Sequence, residues 1–294
     1  MTLPTFVVAG TQKAATTWLY ECLNEHPEVF VPTTKELHHF CEAADCRLST
    51  RAQGDAYYLG QFDGAGPQHS AVGELTIDYM YFPYIAADLQ RINPAMKVIF
   101  ILREPVERAY SAYWMVRRGR IEFAPFEDFL NPDNHIVGRG FYYRQIENFR
   151  RLFPDSQLKI LIYEDIQRNP QAFVAEVFRF LGVDDRFVPP SLRQQIGETR
   201  VMSPRMSTLF YRRLSPLLQI PPVLAAWRLF KRVTGYKRAK PNAASSGGIQ
   251  HHYPPLPADQ RRRLENLYRD DTERLFGLIG RRVGDWTHQA EPGE

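Results

Sequence analysis

The chain has 294 residues, a net charge of +4 and 44% hydrophobic residues. That is enough apolar material for a sizeable core, as one large α/β domain or two small ones. The modest positive charge suits an anionic ligand and does not point to bulk nucleic-acid binding, so no nucleic-acid partner is expected. No apolar run approaches the length of a membrane span, and no secretory leader precedes the first β-like run. Cys22, Cys41 and Cys46 are too few for a disulfide framework. A cytoplasmic protein without a transmembrane segment is expected.

The chain opens with the β-like run Phe6-Val7-Val8-Ala9-Gly10, followed at once by Thr11-Gln12-Lys13-Ala14-Ala15-Thr16-Thr17-Trp18. Trp18, Leu19, Cys22 and Leu23 then give one apolar face to a helix that stops before Pro27. A strand, a small-residue turn with one lysine and a hydroxyl-rich helix start make a phosphate cradle, in which backbone N–H groups and the positive helix end attract the anion. The turn is not a nucleoside-triphosphate loop of the G-x-x-x-x-G-K-[ST] kind. Thr16 stands where that lysine belongs, Ala15 where the second glycine belongs, and the lysine comes early, at Lys13.

Val29-Phe30-Val31 reads as a short strand leading to Lys35-Glu36-Leu37-His38-His39-Phe40. Residues 41–70 are polar and glycine-rich, with Tyr57-Tyr58-Leu59 as a buried anchor, and Ala71–Thr76 is a further short strand. Phe82–Arg91 has helical spacing. Lys97–Leu102 is a continuous apolar run, as expected of a strand buried on both faces. It leads to Arg103-Glu104-Pro105, where Pro105 suits the first turn of a helix and Ser111 lies about two turns in. Gly119–Pro125 and Asn131–Gly138 read as loops, Tyr142–Phe153 as a helix, Leu158–Tyr163 as a strand and Gln171–Leu181 as a helix ended by Gly182. Alternating strands and helices predict a parallel sheet flanked by helices, with ligands at the strands' carboxyl ends. Arg200–Lys240 is basic and mixed with large apolar groups, Ala243–Gly248 is a linker by composition, and Pro257–Gly280 is a helix.

Two phosphate-type motifs, each at a strand-to-helix junction and in this order, resemble the sulfotransferases that use 3′-phosphoadenosine 5′-phosphosulfate (PAPS). The loop with an early lysine is similar to their 5′-phosphosulfate loop, and Arg103 with Ser111 resembles their 3′-phosphate motif. The runs Lys35–Phe40 and Gly140-Phe141-Tyr142-Tyr143 resemble segments of the glycan-modifying and bacterial branches. The resemblance covers about residues 5–185. It implies an α/β, P-loop-like single domain over 1–294, with a core near 5–185 and a helical extension or lid near 200–294. It also implies transfer of a sulfuryl group to a hydroxyl or amine of a small-molecule, lipid or carbohydrate acceptor, leaving 3′-phosphoadenosine 5′-phosphate. Oligomeric state is not implied.

In that reading Gln12, Lys13, Ala14, Ala15, Thr16, Thr17, Trp18, Arg103, Ser111 and Tyr142 hold the nucleotide. Lys13 stabilises the departing bisphosphate, and Glu36, with His38, takes the acceptor's proton. Arg238 or Lys240 in a lid could reach the 3′-phosphate. Plainer roles stand beside these: an ion pair of Arg103 with Glu104 or Glu107, a salt bridge of Glu36 with Lys35, and core packing for Tyr142. The glycan-modifying enzymes carry a lysine where this chain has Leu75, which suggests a less anionic or more apolar acceptor and leaves Glu74 as a candidate second carboxylate. His38, His39, Cys41 and Cys46 lack a second compact ligand pair, so no metal is expected. An ATP-dependent kinase and a non-catalytic nucleotide-binding or membrane-surface module are the alternatives.

Overall fold

The computed structural model describes residues 2–117, 123–193 and 254–286. Two compact units are present. Met1–Tyr113, Pro125–Gly197 and Leu256–Glu294 form the first, and Trp114–Ala124 with Glu198–Pro255 form the second. Within the second, the Arg117 guanidinium lies 4.7 Å from the Trp114 ring. The basic stretch 200–240 with Arg238 and Lys240, the 243–248 linker and most of the 119–125 loop lie outside the described residues.

In the first unit five strands form one parallel sheet: β1 (Phe6–Gly10), β2 (Val29–Phe30), β3 (Ala71–Leu75), β4 (Lys97–Leu102) and β5 (Leu158–Ile162). Their order is β2-β3-β1-β4-β5, and Val8 sits opposite both Leu75 and Ile99. The chain leaves β1 toward β2 and β3 on one side, then crosses to β4 and β5 on the other. The reversal falls between β1 and β4, and crevices at such switch points are where α/β sheets bind ligands.

Alternate side chains of each strand face opposite ways, and the two faces bury separate cores. Val7, Ala9, Val98, Phe100 and Leu102 pack with α3 (Ile85–Ile92), α6 (Tyr142–Arg150) and the C-terminal helix α9 (Ala258–Ile279). Phe6, Val8, Ile99 and Ile101 pack with α1 (Thr16–Glu25), α7 (Tyr163–Arg168) and α8 (Pro170–Leu181). This two-sided burial is what the unbroken apolar run of β4 requires. Phe100 is fully buried with its ring 5.0 Å from Phe149, so Phe100→Ala would cost roughly 3–5 kcal/mol.

Caps account for several boundaries. Asn169 accepts from the Ala172 amide at 3.0 Å, Pro170 opens α8, and Gly182 closes it at φ 85°. Pro105 begins α4 (Pro105–Arg117), as its fixed φ favours. Four local expectations change. The polar segment after Cys41 contains α2 (Gly54–Gly60), which buries Tyr58 but leaves Tyr57 exposed. The 131–138 stretch ends in a short helix, α5 (His135–Gly138), because Asn134 caps it through the Ile136 amide. The helix expected from Phe82 begins only at Ile85. Tyr163 starts α7 instead of closing β5.

Candidate active site

The loop from Thr11 to Ala15 joins β1 to α1 across the switch point. Lys13 and Ala15 hold φ values of 71° and 59°, and His38 holds 50°. These are the non-glycine residues with positive φ among the described ones. Each such residue costs about 1 kcal/mol or more, and strain of this kind collects at functional sites. Here it singles out two loops, 11–15 and 35–39.

The first loop presents an open helix start. Ala15 occupies the cap position of α1 without a side-chain hydrogen bond, so first-turn amides stay available to an anion. Gln12, Lys13 and Ala15 are half-buried, Thr16 is buried and Thr17 exposed. Ala14 is fully buried in the core under α1. The Trp18 ring packs into the same core and donates to the Ser191 carbonyl at 3.2 Å, so the ring is taken up by the core. At Gly10 an added Cβ would lie 2.8 Å from Met80 Cβ, which explains the glycine at the strand's end.

Arg103 lies where β4 ends. Its Nη1 donates to the Lys13 carbonyl at 3.2 Å, and its guanidinium carbon sits 5.0 Å from the Tyr163 ring centroid. The two motifs, 90 residues apart in the chain, are therefore adjacent in space. Tyr142 is buried and donates to the Arg103 carbonyl at 2.8 Å, fixing the backbone beneath the guanidinium. Ser111 is buried two turns into α4. Neither Glu104 nor Glu107 is an ion-pair partner of Arg103 among the described residues. The Glu104 carboxylate instead accepts from the amides of Val106 at 3.0 Å and Glu107 at 2.5 Å, closing the start of α4. Burial still pushes that carboxyl up to about 7 against these two hydrogen bonds.

The second loop is held from across the sheet. The Thr76 hydroxyl, just past β3, accepts from the amides of Leu37 at 3.0 Å and His38 at 3.4 Å and donates to Glu74 Oε2 at 2.6 Å. The Tyr79 hydroxyl accepts from the His39 amide at 3.0 Å. Glu36 Oε1 pairs with Lys35 at 3.0 Å and Oε2 with His38 Nε2 at 3.3 Å. Burial opposes the Glu36 charge, but His38 and Lys35 outweigh it and hold the carboxyl below the usual range. His38 Nδ1 meets Asp78 Oδ2 at 3.3 Å, and Arg139 grips the other Asp78 oxygen at 2.6 Å. Burial also disfavours a charged His38, yet Asp78, Cys41 and Glu36 push it up to about 12. His39 stacks on Tyr58 at 4.8 Å and serves the fold.

Glu74 is buried, and burial pushes its carboxyl up to about 7, only partly offset by Thr76 and Tyr79. It braces the loop through Thr76 instead of opening onto it. Asp78, Thr76 and Arg139 carry no motif signal. Their place becomes visible only when β3 docks beside the 35–39 loop.

Residues 3–206 match the sulfotransferase domain family. The chain belongs to that family. A mouse bifunctional heparan sulfate N-deacetylase/N-sulfotransferase 4 is 25% identical over 98% of this chain and 31% of its own length. A mouse heparan sulfate glucosamine 3-O-sulfotransferase 5 is 26% identical over 63% of this chain and 55% of its own length. The membrane-associated sulfotransferase kil1 of Dictyostelium discoideum is 33% identical over 46% of this chain. The chain thus spans about a third to about half of the first two of these relatives. A sulfotransferase from Alicyclobacillus acidocaldarius shares the fold with a TM-score of 0.69 at 22% identity, covering 97% of this chain and 99% of the other. Among the described residues no helix is long and apolar enough to cross a membrane.

Proposed function

We propose that this chain transfers a sulfuryl group from PAPS to a hydroxyl or amine of a small-molecule, lipid or carbohydrate acceptor. The observation that carries this reading is the contact of Arg103 Nη1 with the Lys13 carbonyl at 3.2 Å. It joins an open helix start, suited to a 5′-phosphate, to a guanidinium suited to a second phosphate. One nucleotide with phosphates at both ends fits that pair, and family membership supports the same donor.

PAPS would supply the sulfuryl group and a bisphosphate leaving group. Lys13 neutralises charge that grows on the oxygen between sulfur and the 5′-phosphate. Thr16 and Thr17, with the first-turn amides of α1, hold that phosphate. Arg103 and Ser111 take the 3′-phosphate, and Tyr142 steadies Arg103 from behind. Glu36 accepts the acceptor's proton. Its carboxylate is ionised at neutral pH, so it is ready as a base once the acceptor displaces Lys35. Leu75 favours an acceptor less anionic than heparan sulfate. The reduced cysteines suit a cytoplasmic setting.

Calorimetry of 3′-phosphoadenosine 5′-phosphate against ATP and ADP tests the reading. The wild type should prefer the bisphosphate strongly, and Arg103→Ala should erase that preference. Equal affinity for all three, or magnesium-dependent preference for ATP, would remove the PAPS assignment.

A further inference from the structure

His38, Cys41 and Cys46 place one ring nitrogen and two sulfurs within 4.8 Å of one another, and His38 forms a second such group with Glu36 and Asp78. We propose that His38 Nδ1, Cys41 Sγ and Cys46 Sγ bind a zinc ion, with Asp78 as fourth ligand after a small turn of its carboxylate. The donor set is soft enough for zinc and too sulfur-rich for magnesium or calcium.

The distances fit. Bonds of roughly 2.0 Å to nitrogen or oxygen and roughly 2.3 Å to sulfur, in a tetrahedron, require edges of about 3.3 Å between nitrogen and oxygen and about 3.5 Å between nitrogen and sulfur. His38 Nδ1 lies 3.3 Å from Asp78 Oδ2 and 3.5 Å from Cys46 Sγ. The ligands are also held in place. The Cys46 amide donates to the Glu42 carbonyl at 3.0 Å, and the Ser49 hydroxyl to the Cys41 carbonyl at 2.5 Å. The Tyr84 hydroxyl ties the Glu42 amide at 3.0 Å to Asp45 at 2.6 Å. Cys41 is fully buried, while Cys46 is half-buried and gives the ion a way in.

The outer groups match those of a metal site. A histidine bound to metal through one nitrogen usually donates the other N–H to a carboxylate. His38 Nε2 faces Glu36 Oε2 at 3.3 Å, and Arg139 holds the remaining Asp78 oxygen. Zinc at Nδ1 fixes the tautomer that donates to Glu36. His38 is then a positioning residue behind the proposed base; this last step rests on the function proposed above, whereas zinc binding does not.

The full chain, purified without added metal, should carry one zinc per chain by elemental analysis and hold it against a chromogenic chelator. Cobalt should give thiolate charge-transfer absorption. Cys41→Ser and Cys46→Ser should each lose the metal while circular dichroism stays unchanged. If the variants do not fold, the wild-type cobalt spectrum carries the test alone. Absence of zinc and of the charge-transfer band, zinc retained by both variants, or an intact mass showing a Cys41–Cys46 disulfide would overturn the site. Stripping the zinc should lower kcat by about 10–100-fold without weakening 3′-phosphoadenosine 5′-phosphate binding. Failure of the function alone would instead appear as stoichiometric zinc without nucleotide preference.

Discussion

The proposed phosphate side and the proposed base side of this site are built differently. The phosphate side uses two strand–helix junctions, where each chain segment positions its own lysine or arginine, and one contact joins them. The base side is a loop with little regular structure, held by Thr76, Asp78 and Tyr79 from about 40 residues away. Local geometry serves to grip an anion. The loop of Glu36, the proposed base, is placed by long-range side-chain contacts instead.

The sharpest way to break this contrast is Glu36→Gln. Turnover should fall about 10²–10⁴-fold with bisphosphate affinity unchanged by calorimetry. A matching loss of affinity would show that the two sides are not separable.

Glu74→Gln probes the brace beneath the base loop. The folded-state pKa is raised from 4.5 to about 7. As pH climbs between those values, the unfolded chain gives up a proton that the folded chain keeps, so stability falls and then levels off. The variant should remove a penalty on the order of 3 kcal/mol that is absent near pH 4 and complete near pH 8. Its gain in melting temperature should therefore grow with pH; a gain independent of pH would contradict a neutral Glu74.

Thr76→Val keeps the shape but strips the hydroxyl from two amides and a carboxylate. Denaturant titration should show a loss of about 2 kcal/mol. If the loop were self-supporting, this change would be nearly silent. The smallest effect belongs to the phosphate side. Ala15→Gly relieves a methyl-bearing residue at φ 59° but adds freedom to the unfolded chain, for a net gain of less than about 1 kcal/mol. A clear destabilisation would mean that the methyl packs usefully and the loop is unstrained.

The same contrast sets what could be read from the chain alone. β1, β4, α1 and α4, with Lys13 and Arg103, are written in contiguous residues, so periodicity and turn chemistry reveal them. Glu36 and His38 were found through a six-residue resemblance. Their supports were not, because Thr76 and Asp78 look like ordinary residues after a strand until β3 pairs with β1. α2 was hidden because its segment is polar and only Tyr58 is buried. Tyr142 was legible as a residue near the nucleotide motif, but its contact with the Arg103 backbone emerges only from the packing of α6 against β4.

The two helix starts at the switch point are not equivalent. α1 begins without a side-chain cap, whereas α4 begins already filled by its own carboxylate, Glu104. The first start suits a dianion and the second is occupied by a carboxylate, so the proposed crevice has a built-in polarity. In the function proposed above, a nucleotide entering it would have a head and a tail: one phosphate on main-chain amides, the other held by side chains. On that proposal, selectivity for the second phosphate would be concentrated in a few replaceable side chains, while the grip on the first would be woven into the backbone and survive most substitutions.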